Sequence, residues 1–246
     1  MSGNRGSILG LGDRPLLRPL LSAPARRWSA GVLAGCAIFT GVAGYVCSVD
    51  VGGDFADGPI DSWVIQHVGG HAHALQLAAD LGQGPQVAVM TLVLLLTCVA
   101  ARWVNGALLA LVSIPVAAAL TEFVLKPLVN QHYSSFPSGR STGIFAVITV
   151  VTVLLAGPPG ARVPPRGRRI VIALAYLVGC AVAVATVGLG YHTATDVVGG
   201  AAVGTGVVLA VALVLDLPVS RELLAVIGPR RQAGGSQSPE HEPRPS

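Results

Sequence analysis

This sequence contains very little charge. Only 11% of its 246 residues are Asp, Glu, Lys or Arg, and 52% are hydrophobic. Soluble domains carry about 25% charged residues, so the composition excludes an ordinary soluble domain and indicates an integral membrane protein. The formal net charge of +4 does not indicate a nucleic-acid partner, because the cations do not gather on one face of a soluble domain.

Closely spaced cysteine pairs are also absent. The four cysteines lie inside apolar runs and form no CxxC motif; they are Cys36, Cys47, Cys98 and Cys180. We expect them to be small buried hydrophobes without a redox or metal role, and we expect no cofactor. Rows of ionisable residues and paired half-helices, which transporters use, are missing as well. A transporter is therefore the weakest of the functional classes considered.

Long apolar runs dominate the chain instead. A membrane-spanning helix needs about 20 mostly apolar residues, and six runs are candidates. The predicted spans are Trp28–Val49, Pro85–Ala101, Val104–Leu125, Ser141–Ala156, Ile170–Gly188 and Thr195–Leu217. The predicted fold is thus all-α, a six-helix membrane domain over residues 28–217. Residues 1–27 are expected to form a loosely ordered N-terminal tail, and residues 218–246 a disordered C-terminal tail.

The cations are distributed unevenly between the predicted loops. Fourteen of the sixteen Lys and Arg residues precede the first span, follow the sixth, or lie between spans two and three or four and five. With six spans these segments share one side, which the positive-inside rule makes cytoplasmic, with both termini there. The pair Arg26-Arg27 could belong to a signal peptide, but the run after it has no clear cleavage site, so we expect a retained helix.

Only Lys126 and Arg140 fall on the extracytoplasmic side. An anionic ligand would explain two cations on a face that otherwise has none. The alternative is that they snorkel to the interface, especially Lys126 at its helix end. The anionic ligand is the favoured interpretation.

The loop with these cations also contains a helix-start signal. Residues 126–141 read KPLVNQHYSSFPSGRS, and an apolar run follows at once. Pro137 and Ser138 suit the start of a helix, where unpaired amides and the helix dipole bind anions. Gly139 would let an anion approach the backbone closely. The alternative is that Ser138 only caps the helix.

A second stretch on the same side supplies a His and an Asp. Residues 188–196 read GLGYHTATD. His192 and Asp196 are four residues apart and share a face if the last span begins early. A carboxylate on one ring nitrogen fixes the tautomer and leaves the other nitrogen nucleophilic. A purely structural pair is the alternative.

Together the two stretches resemble the type 2 phosphatidic acid phosphatase (PAP2) superfamily, which includes vanadium haloperoxidases and undecaprenyl-pyrophosphate phosphatases. Its motifs run Lys-x6-Arg-Pro, Pro-Ser-Gly-His and Ser-Arg-x5-His-x3-Asp. The resemblance implies that Lys126, Ser138 and Gly139 bind phosphate. It also implies that His192 forms a phosphohistidine and that Asp196 orients it.

The chain departs from these motifs at three places. Tyr133 stands at the position of the first-motif arginine, with Gln131 and His132 at shorter spacings. Arg140 replaces the second-motif histidine, which is the general acid, and Thr186 replaces the third-motif arginine. Losing a general acid costs about 10²–10⁴-fold in rate, and guanidinium cannot replace it because it stays protonated. His132 is a candidate for the missing acid, but a loop histidine without a role is the favoured interpretation.

Other features carry weaker expectations. The first outward segment, Asp50 to Gly84, is expected to lie along the interface or to cap the site. Its histidines His67, His71 and His73 allow a metal site, but no completing ligand is evident. Glu122 is predicted to be a buried acid paired with Lys126. Three Gly-x3-Gly pairs predict close helix packing: Gly31 with Gly35, Gly139 with Gly143, and Gly200 with Gly204.

Two functions follow as expectations. The first is a membrane phosphatase that hydrolyses a lipid phosphate or a prenyl pyrophosphate at the extracytoplasmic face, with Arg140 adding charge to the binding site. The second is a catalytically impaired relative that binds lipid phosphate or acts as a membrane scaffold. The retained pair of His192 and Asp196 favours the enzyme, and the three departures favour the impaired relative.

Overall fold

The protein is described by a computed structural model that covers residues 19–49, 58–129, 136–157 and 163–217. Every regular element in these residues is helical. The α-helices are α1 (Ala23–Val49), α2 (Gly58–Val68), α3 (Ala72–Asp80), α4 (Gly84–Ala100), α5 (Val104–Ala119), α6 (Lys126–Val129), α7 (Gly139–Ala156), α8 (Pro165–Gly188) and α9 (Ala194–Leu215). A 3-10 turn over Gly69–His71 links α2 to α3, and a π-helical segment over Leu120–Leu125 links α5 to α6.

Five of the described helices are long and apolar enough to cross a membrane: α1, the continuous helix Val104–Val129, α7, α8 and α9. A sixth span is present if Gly58–Asp80 and α4, which meet at a bend of 43°, form one broken span. The predicted all-α membrane bundle is therefore confirmed. The predicted second span coincides with α4, which has only 17 residues.

Helix α7 forms the centre of the bundle. It contacts α4, α5, α8 and α9, and it is the most buried of the candidate spans. Glycines on α9 permit the closest of these contacts, because a Cβ atom at Gly200 or Gly204 would overlap the carbonyl oxygen of Ser138 or Thr142, respectively. On the other side of α7, a Cβ atom at Gly143 would lie 3.0 Å from Val87 Cγ2.

The predicted close packing is thus confirmed for the glycines of α9 and for Gly143. It is wrong for Gly31 and Gly35 of α1, because a Cβ atom at either would meet no heavy atom within 4 Å among the described residues.

One end of the bundle is closed by a buried carboxylate. Asp216 Oδ1 and Oδ2 accept hydrogen bonds from the amides of Leu20 and Leu21, both at 2.9 Å. Arg26 Nε lies 3.4 Å from Oδ2. The first helix begins at Ala23, earlier than the predicted Trp28, so part of the expected tail is ordered. Residues 1–18 and 218–246 lie outside the described residues, so the rest of the tail predictions stay untested.

The opposite end is covered by part of the first outward segment. Helices α2 and α3 pack against α8, and a Cβ atom at Gly188 would lie 2.9 Å from Val68 Cγ2. This places the short helices over the turn that follows α8. The same turn carries the His and Asp of the second sequence stretch.

Candidate active site

His192 and Asp196 lie side by side where α9 begins. His192 Nδ1 is 3.3 Å from Asp196 Oδ2, and the two side chains are 13% and 5% exposed. The pairing predicted from their spacing is therefore present. If Nδ1 carries the proton and donates a hydrogen bond to the carboxylate, Nε2 presents its lone pair away from Asp196.

Asp196 is also fixed by the start of its own helix. Thr193 is the N-cap residue of α9, and its Oγ1 accepts a hydrogen bond from the Asp196 amide at 3.3 Å. The Asp196 carboxylate in turn accepts one from the Thr193 amide at 3.3 Å. This reciprocal capping box leaves the carboxylate little freedom to turn away from His192.

Ser138 connects the other sequence stretch to this helix start. Its amide donates a hydrogen bond to the Asp196 carbonyl oxygen at 2.9 Å. Its side-chain oxygen accepts from the Ser141 amide at 3.5 Å and so caps α7, the role that was the alternative to anion binding. Helices α7 and α9 therefore start next to each other, with Gly139 as the first residue of α7.

Arg140 lies against the residue that precedes His192. Its Cζ is 4.6 Å from the ring centroid of Tyr191, a cation–π distance. The Tyr191 hydroxyl donates a hydrogen bond to Gln76 Oε1 on α3 at 2.7 Å. The buried Arg140 Nε has no hydrogen-bond partner among the residues that the structure describes.

Lys126 is paired with Glu122, as predicted. Its Nζ lies 2.6 Å from Oε1 and 2.8 Å from Oε2. Glu122 is not the buried acid that was expected, because its side chain is 46% exposed. The pair lies at the start of α7, since a Cβ atom added at Gly139 would be 2.6 Å from Glu122 Oε1 and 3.7 Å from Lys126 Nζ.

A cavity of about 280 Å³ opens beside His192. Its lining consists of Asp61, Ile65, Val187, Gly190, Tyr191, His192, Thr193 and Asp196. Lys126, Ser138, Gly139 and Arg140 are not among these residues. The six predicted site residues thus form two adjoining groups.

Comparison with known protein families identifies the family of this chain. The model of the PAP2 superfamily matches residues 91–217, which is more than half of the sequence. The chain belongs to the PAP2 superfamily. No curated protein and no solved structure gave a match.

The PAP2 match includes all six predicted site residues and leaves α1, α2 and α3 outside it. Members of the superfamily are generally phosphatases. The family therefore indicates a phosphatase-type protein, without giving a substrate.

Thr186, which replaces the third-motif arginine of the PAP2 pattern, has a structural role. Thr186 is fully buried, and its hydroxyl donates a hydrogen bond to the Val182 carbonyl at 2.7 Å. Its own carbonyl accepts from the Tyr191 amide at 3.1 Å. The threonine thus shapes the turn before His192 and extends no cation toward it. The first-motif positions Gln131, His132 and Tyr133 lie outside the described residues.

Sequence reasoning missed a role for Asp61 at this PAP2 site. Asp61 Oδ1 accepts a hydrogen bond from the Ala194 amide at 3.0 Å, and its residue lines the cavity with His192. The contact joins α2 to the first turn of α9, 133 residues later. No short-range sequence pattern indicates a contact between residues so far apart in the chain. Tyr191 was quoted in the motif, but its contact with Arg140 was not predicted.

The histidines of the first outward segment show no metal site. His67 Nδ1 lies 2.7 Å from the Trp63 carbonyl oxygen, and the two rings stack with centroids 4.4 Å apart. Among the described residues, no group of three or more His, Cys, Asp or Glu side chains is placed to hold a metal. The expectation that the cysteines are buried is confirmed for Cys98, whereas Cys36 and Cys47 are partly buried and Cys180 is exposed.

Proposed function

We propose that this protein is a membrane phosphatase that hydrolyses a lipid phosphate or a prenyl pyrophosphate through a phosphohistidine. The observation that carries the proposal is the contact between His192 and Asp196 at 3.3 Å. The capping box at Thr193 holds that carboxylate, and the cavity beside the imidazole leaves room for a phosphoryl group.

The reaction begins with attack by His192 Nε2 on phosphorus. A P–N bond forms, the bond from phosphorus to the leaving oxygen breaks, and that oxygen leaves with the electron pair. Asp196 keeps the proton on Nδ1 and stabilises the positive imidazole. Water then attacks the phosphohistidine, the P–N bond breaks, and inorganic phosphate leaves as His192 returns to its neutral form.

The cations supply charge for the transferred group. Lys126 and the first turn of α7 lie next to the Asp196 helix start, and Arg140 reaches Tyr191 beside the nucleophile. Positive groups near the developing charge of the phosphoryl oxygens stabilise the transition state. Arg140 cannot protonate a leaving oxygen. A phosphate leaving group needs that proton less than an alkoxide does, so we infer a preference for pyrophosphates.

The same cations suggest the side of the membrane. Arg26, Arg102 and Arg168 belong to the end of the bundle closed by Asp216, whereas Lys126 and Arg140 belong to the end with His192. The positive-inside rule then favours an extracytoplasmic active site with both termini in the cytoplasm.

A second candidate function is a catalytically impaired relative that binds lipid phosphate or serves as a scaffold. It is favoured by the buried Thr186 in place of an arginine and by the pairing of Lys126 with Glu122. Both observations reduce the positive charge available to a phosphoryl group.

Phosphate release by the purified full-length protein distinguishes the two. We expect release from a prenyl pyrophosphate, slower release from phosphatidic acid, and none from His192→Ala. Binding of phosphatidic acid without any release from either lipid would support the impaired relative. Equal release by wild type and His192→Ala would contradict the phosphohistidine.

A further inference from the structure

Lys126 already forms an ion pair with a carboxylate of its own chain, that of Glu122. Both Glu122 oxygens lie within 2.8 Å of Lys126 Nζ. The same carboxylate overlies the first residue of α7, where a Cβ atom on Gly139 would approach Oε1 to 2.6 Å. Glu122 therefore occupies the place where an incoming anion would meet both the ammonium group and the positive end of the helix.

The backbone around Glu122 holds it there. The residue belongs to the π-helical segment Leu120–Leu125. Pro127 follows two residues later, and its ring and missing amide disfavour a regular α-helical hydrogen bond to the turn before it. Thr121 Oγ1 donates a hydrogen bond to Thr142 Oγ1 at 3.1 Å. Thr142 Oγ1 donates to the Ser138 carbonyl at 3.0 Å. These bonds tie the π-helical segment to the first turn of α7.

We propose that Glu122 is an internal competitor for the phosphoryl group, which must displace its carboxylate from Lys126 in order to bind. This inference rests on the proposed function of the site. The displacement weakens the binding of the lipid and of free inorganic phosphate by the same factor, but only the lipid has an apolar chain whose burial offsets the loss. Glu122 thus keeps the released phosphate weakly bound at a site where a membrane-anchored phosphoryl group still binds.

The direct test is the affinity for inorganic phosphate. Calorimetry on the purified full-length protein in detergent should show tighter phosphate binding in Glu122→Gln and Glu122→Ala, by about fivefold to tenfold. That is the factor expected from an ion pair of about 1 kcal/mol that no longer has to be broken. Inorganic phosphate should also inhibit both variants at correspondingly lower concentrations.

Asp80→Asn is the matched control. It removes the same charge from a carboxylate that accepts hydrogen bonds from Gln76 and Gln83. Its phosphate affinity should equal that of wild type. Kinetics in nanodiscs with phosphatidic acid form the second arm, in which KM should fall in the Glu122 variants if the lipid phosphoryl group displaces the same carboxylate.

Three results overturn the inference. Equal or weaker phosphate binding in both Glu122 variants, with His192-dependent hydrolysis intact in wild type, would show that Glu122 only orients Lys126. If Asp80→Asn binds phosphate as tightly as the Glu122 variants do, the gain in affinity comes from the change in net charge and not from the position of Glu122. Absence of both phosphate binding and hydrolysis in every variant would reject the competitor and the proposed function together.

Discussion

The amide of Ser138 donates a hydrogen bond to the carbonyl oxygen of Asp196 at 2.9 Å, and this bond joins the first turns of two helices. Ser138 is the N-cap residue of α7, and Asp196 belongs to the capping box of α9. The start of α7 and the start of α9, which carries the carboxylate beside His192, are thereby held in register. Distortion of this contact should disturb both parts of the site at once.

Asp196→Asn should lower phosphate release by roughly 10²–10⁴-fold, because the amide cannot stabilise a positive imidazole and permits the wrong tautomer. The KM should change much less than kcat. The thermal midpoint should fall only slightly, since the Asn side-chain oxygen can still accept the hydrogen bond from the Thr193 amide. A rate within threefold of wild type would contradict the role of the carboxylate.

Arg140→His should raise the turnover of a monoester more than that of a pyrophosphate, by about tenfold or more if it restores part of the usual acid contribution. Arg140→Ala should slow both substrates, because it removes charge beside Tyr191. Parallel kcat measurements on phosphatidic acid and a prenyl pyrophosphate test this. An equal change for both substrates in Arg140→His would argue against a leaving-group effect.

Gly200→Ala should destabilise the protein by about 1–3 kcal/mol or more, because the new methyl group would overlap the Ser138 carbonyl and overpacking costs that much. Phosphate release should fall with it, since α7 and α9 must separate. Gly31→Ala is the matched control, because a Cβ atom there meets nothing within 4 Å among the described residues. Thermal unfolding in detergent should show a loss for the first variant alone.

Asp61→Ala should lower both stability and turnover, whereas Asp61→Asn should resemble wild type. The alanine variant loses the acceptor for the Ala194 amide, which costs about 1 kcal/mol for a helix-start hydrogen bond. Asn keeps an acceptor oxygen at the same place. Equal losses in both variants would show that the charge of Asp61 matters more than its hydrogen bond.

The ends of the bundle should face opposite sides of the membrane. In a background without the four native cysteines, His73→Cys should react with an impermeant reagent added from outside. Arg166→Cys should react only after the membrane has been permeabilised, so that the reagent reaches the cytoplasmic side. Both side chains are exposed in the structure. Labelling of the two positions from the same side would refute the proposed topology.

The features that could be predicted from the sequence are those with a local pattern. Long apolar runs predicted the helices, and a spacing of four predicted both the His192–Asp196 and the Glu122–Lys126 contacts. Helix α1 begins at Ala23, ahead of the apolar run that predicts the span. The guanidinium of Arg26 in this helix pairs with Asp216, far along the chain.

The contacts that assemble the site could not be predicted in this way. Asp61 reaches Ala194, and Arg140 reaches Tyr191, only because α2, α7 and α8 meet at one end of the bundle. Such contacts depend on tertiary packing, which leaves no spacing in a single sequence. The exposure of Glu122 was missed for the same reason, since it depends on how the π-helical segment turns beside α7.

The buried carboxylate of Asp216 also sets an order of events during biosynthesis. The ribosome makes Asp216 196 residues after Leu20. The amides of Leu20 and Leu21 must therefore wait for the last helix to be translated and inserted before they reach the carboxylate. We expect the first helix to stay loosely associated until then, so a nascent chain arrested before Asp216 should remain sensitive to protease near residue 20.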